Sequence, residues 1–226
     1  MQRCNIAHAG VVQAALRAFA GAAYHPHKAF LRNPLWEFVC VTLRVTLFGY
    51  LWYLFDRKTR AGQGEMPQAV VLGEALGAFL AEGVSVLVSS SDAGNRPALG
   101  RALGGRLSVD GRTVTVYLAA APCADLLAAI GQTGRIAVAI SKPSTHRSVQ
   151  IKGQDARLVP CAADAGDVIA RKIDAFTEDV VSIGFTEALV RTLMDHDPAD
   201  VVAVAFTPTG VFDQTPGPNA GTVIKP

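Results

Sequence analysis

The sequence contains little cysteine and almost no net charge. Its four cysteines, Cys4, Cys40, Cys123 and Cys161, lie far apart and form no Cys-x-x-Cys pair. This spacing predicts free thiols in a reducing compartment and argues against a disulfide framework or a zinc site. The 21 basic and 19 acidic residues leave a formal net charge of +2 without a long basic run, which argues against nucleic acid as a partner.

The common nucleotide and hydrolase motifs are also missing. No Gly-x-Gly-x-x-Gly, P-loop, Gly-x-Ser-x-Gly or His-Glu-x-x-His occurs in the chain. Asp195, His196 and Asp197 are adjacent and precede Pro198, so they cannot converge on one ion, and we predict a turn and no metal site there. What remains is a chain of 226 residues, 50% of them hydrophobic, which suffices for one domain with an appendage.

The composition changes near residue 65. Both tryptophans and three of the four tyrosines precede this point. After it, runs of Val, Ala, Leu and Ile are separated by Gly and Asp turns, and the stretch AGQGEMPQ at 61–68 is typical of a linker. The sequence therefore predicts a helical N-terminal segment, 1–65, followed by a main domain, 66–226.

The N-terminal segment contains an apolar stretch at 35–55 that is long enough to span a bilayer as a helix. Arg44 lies near its middle, where insertion costs about 2.5 to 3.5 kcal/mol. Three interpretations stay open: a membrane anchor with the main domain on the cytoplasmic side, a helix packed on the main domain, or upstream sequence wrongly included in the reading frame, since Met66 directly precedes the regular pattern. We expect a cytoplasmic protein with membrane contact only through 35–55.

The main domain has the alternation that is typical of β-strands. In PSTHRSVQIKGQDARLVP, 143–160, the polar residues Ser148, Gln150 and Lys152 alternate with Val149 and Ile151, so one face is polar and the other apolar. Tight turns such as VDGR join further runs of this kind. Six or seven short strands, mostly in hairpins, predict a mainly β (α+β) fold, namely a closed or split antiparallel barrel with helices over its ends.

Two stretches, QTGRIAVAISKPSTHRSVQIKGQDARL and VFDQTPGPNAG, resemble the pyridoxamine 5′-phosphate oxidase-like split-barrel family of flavin-binding proteins. The resemblance covers about residues 68–221. It implies a six- or seven-stranded antiparallel split β-barrel with flanking helices and a flavin mononucleotide (FMN)-dependent oxidoreductase activity on an unknown substrate. It also implies a homodimer that binds the cofactor at the subunit interface.

The resemblance further implies a set of cofactor-binding residues. In RALGGR, Arg101 and Arg106 match two cations that the family's oxidases direct to the FMN phosphate. On a flat strand they would lie on opposite faces, so both serve one ligand only if the strand is distorted, for which Gly104 and Gly105 supply the flexibility.

Three more positions complete this predicted set. Arg147 and Ser148 match a family position that carries Arg-Gln, which implies contact with the phosphate or the polar edge of the flavin. Tyr117 would pack beside the ring or the ribityl chain. The resemblance assigns no catalytic residue.

One departure from the family pattern keeps other functions open. Where the oxidases have hydroxyl and basic groups at the phosphate, this chain has VYLAAAPCADLL. A phosphate dianion would lose several charge-assisted hydrogen bonds there, each of about 1.5 to 3 kcal/mol. The alternatives are a deazaflavin in place of FMN, a non-catalytic haem- or other ligand-binding split-barrel protein, or a barrel that has lost its cofactor.

Overall fold

The computed structural model describes residues 68–225. The predictions for 1–65, including the apolar stretch at 35–55, lie outside the described residues. In chain order the elements are α1 (Glu74–Ala81), β1 (Ser85–Ser91), β2 (Pro97–Leu107), β3 (Val114–Ala119), α2 (Ala124–Thr133), β4 (Ile136–Ser141), β5 (Ser148–Gly153), β6 (Arg157–Val159), α3 (Ala165–Ser182), α4 (Glu187–Leu193), a 3₁₀ turn (Pro198–Asp200), β7 (Val201–Phe206) and β8 (Gly210–Asp213).

The strands form one antiparallel sheet in the order β6-β7-β3-β2-β1-β4-β5-β8. Strand β2 pairs with β1 on one side and β3 on the other, so it belongs to two halves of the sheet. The predicted antiparallel α+β split barrel is confirmed, with eight strands instead of six or seven. The additional strand is β6, whose three residues are too few to show an alternating pattern.

The larger hydrophobic core lies on the inner face of the sheet. It contains alternate residues of the central strands, such as Val86, Val138 and Ile151, together with Phe79 of α1. Gly153 marks the place where the two halves approach each other, because a Cβ there would press on the Phe206 ring and lie 2.9 Å from the Thr207 carbonyl oxygen. The absence of a side chain therefore allows the end of β5 to pack against the end of β7.

A second core lies on the outer face of the other half, beneath α3. It includes Tyr117, Ala203, Ile169 and Phe176. Within 68–225, by contrast, no helix packs extensively against β4, β5 or β8. Among the described residues, therefore, no helix occupies the outer face of these strands. In the same range, every helix is too short or too polar to cross a bilayer.

Candidate functional site

Polar side chains gather on the outer face of the first half of the sheet, and Ser141, Ser148 and Gln150 among them are buried. The register places Ser85, Ser141 and Ser148 across from one another on β1, β4 and β5. Arg101 of β2 and Gln150 of β5 lie in the next row, opposite Leu87 and Ala139, and opposed residues of antiparallel strands share a face. Their sequence neighbours, such as Val86, Ile140 and Val149, are buried in the inner core. We call this group the outer polar cluster; it consists of Ser85, Arg101, Ser141, Ser148 and Gln150.

Arg101 is the only charged member of the outer polar cluster. Its Nη1 donates a hydrogen bond to Ser85 Oγ at 2.8 Å. Among residues 68–225, no carboxylate forms an ion pair with it. Burial lowers the pKa of the Arg101 guanidinium, because removing a cation from water disfavours its charged form. A partly buried cation without an anionic partner is a candidate contact for an anionic or electron-rich ligand.

One leucine and three small side chains form the floor next to Arg101. In the same cross-strand row lie Leu87 and Ala139, and the neighbouring row contains Ser89 and Ala137. All four are only partly buried. The floor is therefore flat and partly apolar, which suits a planar ring.

Ser148 is almost fully buried at the end of this floor. Its Oγ donates to Ser141 Oγ at 2.9 Å, and its backbone N–H donates to Thr215 Oγ1 at 3.1 Å. The backbone N–H of Gln214 donates to the Ser148 carbonyl at 2.8 Å. These two hydrogen bonds hold the segment QTPG, 214–217, along β5. Ser148 therefore lies at the border of the floor.

Arg147 lies on the opposite face of β5 from Ser148. Its Cζ is 4.2 Å from the centroid of the Phe79 ring, which is completely buried in the inner core. The attraction of a cation to an aromatic face explains why an arginine begins the apolar series of this strand. The structure therefore does not bring Arg147 together with Arg101 and Ser148.

Arg106 and Tyr117 lie near the start of α3. The register of β2 shifts between Ala102 and Gly104, as expected if Arg101 and Arg106 are to share a side of the strand. The two arginines are nevertheless about 15 Å apart along β2. Arg106 Nη1 bonds Asp164 Oδ1 at 2.9 Å, so its charge has an acidic partner.

Tyr117 is fully buried beneath Arg106, whose Cζ lies 5.9 Å from the ring centroid. In the part of the chain that the structure describes, its hydroxyl has no hydrogen-bond partner. Burial raises the pKa of Tyr117. The five predicted residues thus do not form one site. Arg101 and Ser148 share the outer face but lie on β2 and β5, with Ser85 and Ser141 between them; Arg147 lies on the opposite face, and Arg106 lies with Tyr117.

A carboxylate of the 3₁₀ turn, that of Asp200, contacts the loop that precedes α2. Asp200 Oδ2 accepts the Ala121 N–H at 2.8 Å, and the Asp200 carbonyl accepts the Ala120 N–H at 2.8 Å. Burial, and secondarily Asp200, raise the pKa of the Cys123 thiol at the start of this helix. The sequence did not indicate this contact, because Asp200 is 79 positions from Ala121.

Lys172 of α3 is a second feature that the sequence analysis missed. Its Nζ donates to the Leu80 carbonyl at 2.6 Å and to the Glu82 carbonyl, at the C-terminal end of α1. Burial lowers the pKa of Lys172 to about 7. The signal was present, since Lys172 lies between Ile169 and Phe176 on the buried stripe of α3, where a lysine needs a partner.

Comparison with known proteins gives structural similarities only. No protein-family model matches the chain, and no curated protein matches it. An F420 reductase shares 15% identity over 62% of this chain and 98% of its own, with a TM-score of 0.42. The haem storage protein HutZ from Vibrio cholerae shares 14% identity over 63% and 94%, with a TM-score of 0.37.

A third matching structure is a putative pyridoxamine 5′-phosphate oxidase from Lactobacillus delbrueckii. It shares 13% identity over 62% of this chain and 93% of its own, with a TM-score of 0.38. The family that the sequence motifs resemble is therefore represented among the matching structures. Because each of these three TM-scores lies below 0.5, the similarities assign no function.

Proposed function

We propose that this chain is a flavin-dependent oxidoreductase that binds FMN against the floor beside Arg101. The observation that carries the proposal is the partly buried Arg101 guanidinium, which has Ser85 Oγ as its hydrogen-bond partner and no carboxylate among the described residues. A desolvated cation without an anion favours a ligand that supplies negative charge or hydrogen-bond acceptors. The sequence resemblance to flavin-binding split barrels supplies the identity of that ligand.

The residues at this face fit a flavin ring in shape and charge. Leu87 and Ala139 offer a flat surface next to Arg101, and Ser148 closes it at one end. When bound, the flavin supplies the redox chemistry, while the protein orients the ring and sets the charge around it. A guanidinium beside the ring favours its reduced, anionic form. The roles predicted for Tyr117 and Arg147 remain predictions, the phosphate contact predicted for Arg106 is put to the test below, and the substrate is unassigned.

The proposal includes a homodimer. The outer face of β4, β5 and β8 has no extensive helix cover within 68–225, and a second copy would enclose a ring that lies on it. Light scattering on the purified protein tests this part. A monomer throughout the micromolar range would contradict a cofactor site completed by a second subunit.

The test of flavin binding is a fluorescence titration of the purified protein with FMN. We expect Arg101→Gln to weaken binding about 10- to 150-fold, the equivalent of the 1.5 to 3 kcal/mol typical of a hydrogen bond to a charged group. Arg157→Gln is the control, because Arg157 is exposed and paired with Asp155. Equal affinities of Arg101→Gln and the parent would refute the assignment.

A non-catalytic ligand-binding barrel is the second candidate. It is favoured by the Asp200 carboxylate at the loop before α2 and by the Arg106–Asp164 pair, since both remove donors from a phosphate. The absorption spectrum of the purified protein separates the candidates. Flavin bands support the first, haem bands support the second, and a colourless protein without affinity for either supports a barrel that has lost its cofactor.

A further inference from the structure

We propose that this chain recognises the polar edge of the flavin ring through Arg101 and gains no affinity from the phosphate of FMN. The inference rests on the proposed function, because it concerns which part of the flavin is bound. It predicts that riboflavin, which lacks the phosphate, binds as tightly as FMN.

The first step is the distribution of charge around the donors that would suit a phosphate. A phosphate carries about −1.5 to −2 charges near pH 7 and is held by several charge-assisted bonds or by a helix N-terminus. At the loop before α2, the backbone carbonyl of Asp200 accepts the N–H of Ala120, and its carboxylate accepts the N–H of Ala121. At the start of α3, Asp164 is the N-cap residue and bonds Arg106. A phosphate at either helix would meet a carboxylate.

The second step concerns the remaining cations near β5. Arg147 stacks on Phe79 on the inner side of the sheet, and Lys142 Nζ pairs with Glu82 at 2.6 Å. Lys152 shares the outer face and is paired with Ala137 of the floor, at the β5 edge and away from Arg101, and its Nζ is 4.9 Å from the Phe212 ring centroid. Arg101 and Lys152 therefore stand at opposite edges of the floor, and Arg101 has neutral hydroxyl neighbours.

The third step is geometric. A guanidinium is a planar fork of donors, and the N–C=O edge of a flavin presents acceptors in the plane of its ring. Leu87 and Ala139, beside Arg101 in the same row, give that ring a surface on which to lie flat. One planar cation next to a flat floor matches a ring edge better than it matches a tetrahedral dianion.

The experiment is a parallel titration of the full chain with FMN and with riboflavin. We expect dissociation constants within about threefold of each other, since a lost hydrogen bond to a charged group would separate them by more. Arg101→Gln should weaken both by one common factor of at least about tenfold, and it should lower the reduction potential of the bound flavin, because the cation that favours the reduced anion is gone. Arg101→Lys, which keeps the charge without the fork, should weaken both flavins by a smaller common factor and covers the case in which Arg101→Gln fails to fold.

Arg106→Gln and Lys152→Gln are the matched controls, and both should leave the ratio of the two affinities unchanged. FMN binding at least about tenfold tighter than riboflavin, the effect of one such bond, would overturn the inference while leaving the proposed function standing. If either control loses affinity for FMN but not for riboflavin, the inference is also overturned, and the substituted residue marks the place of the phosphate. If the parent binds neither flavin, the proposed function is refuted, and the inference with it.

Discussion

The Arg147 guanidinium lies 4.2 Å from the centroid of the buried Phe79 ring. This contact joins the turn between β4 and β5 to α1, and two other contacts reinforce it. Lys142 Nζ pairs with Glu82 at 2.6 Å, just after α1, and Ser144 Oγ bonds Asp179 Oδ1 at 2.6 Å on α3. The turn is therefore held from two sides by polar and aromatic partners.

Arg147→Ala should lower the free energy of unfolding by about 0.5 to 1 kcal/mol, the range for a cation–π contact at an exposed site. Urea denaturation measures it, with Arg157→Ala as the control on an exposed arginine. A flavin titration of the same variant examines the ligand role that the sequence resemblance implies. Unchanged stability with weakened flavin binding would show that Arg147 meets the cofactor and that its contact with Phe79 contributes little.

Lys172 should make the stability of the fold depend on pH. Its folded pKa of about 7 lies below the ordinary value of 10.5, so between these values the folded state binds fewer protons than the unfolded state. Stability therefore rises with pH across this window, by at most about 1.4 kcal/mol per pH unit. This contribution of Lys172 to stability is lost as the pH falls from 10.5 towards 7. Below pH 7 it no longer changes with pH.

Lys172→Met removes the titrating group and should flatten this dependence. Denaturation curves of parent and variant at several pH values across the window between the two pKa values measure the two slopes. The variant should also be less stable at high pH, because the carbonyls of Leu80 and Glu82 lose their donor. Parallel slopes in the two proteins would mean that Lys172 stays protonated throughout.

Gly83 should tolerate no side chain. A Cβ at this position would collide with the backbone carbonyl of Ala175 in α3, so we expect Gly83→Ala to cost about 1 to 3 kcal/mol of stability. Gly166 is the matched control, because it lies in α3 and a Cβ added to it would meet no other atom within 4 Å. Gly166→Ala should stabilise by about 0.5 to 1 kcal/mol, and thermal melting of both variants tests the pair. Two equal melting temperatures would contradict the close approach of α3 to Gly83.

Tyr117→Phe should be neutral or stabilising. The hydroxyl of Tyr117 is buried without a partner among the described residues, so its removal relieves a desolvation cost of about 1 to 3 kcal/mol and breaks no hydrogen bond there. Chemical denaturation gives the difference in unfolding free energy. A clear loss of stability would indicate that the hydroxyl has a partner in solution.

A chain that begins at Met66 should fold without the preceding residues, since the eight strands and four helices described for 68–225 all lie after residue 73. Circular dichroism and thermal melting of that chain test the predicted boundary. An insoluble or molten product, beside a well-folded full-length protein, would mean that the first 65 residues belong to the fold.

Features that depend on a local sequence pattern, such as the facing of side chains on a strand, could be predicted from the sequence. Alternation along β5 correctly separated Arg147, Val149 and Ile151 from Ser148 and Gln150, because side chains alternate between faces whatever the surrounding fold. The strand pairs joined by short turns could be predicted because tight turns have local sequence signals. A distortion of β2 was expected only if Arg101 and Arg106 serve one ligand; the register does shift between Ala102 and Gly104, whereas a shared ligand stays untested. The short edge strand β6 could not, because its pairing with β7 depends on residues more than 40 positions away.

The partners of individual side chains were beyond the sequence. The sequence does not distinguish the surroundings of the three arginines. In the structure, Arg101 bonds the hydroxyl of Ser85, Arg106 bonds the carboxylate of Asp164, and Arg147 stacks on the Phe79 ring. These partners come from elements brought together only by the tertiary fold. The same holds for Asp200 and Lys172, whose hydrogen-bond partners lie 79 and 92 positions away.

The position of β2 in both halves of the sheet has a consequence for folding kinetics. Strands β1, β2 and β3 follow one another in the chain and pair in sequence, so this meander closes short loops at a low entropy cost. Strands β4 and β7 then have an edge on each side to join. We therefore expect the shared strand to be the nucleus of folding and its amide protons to exchange only on global unfolding.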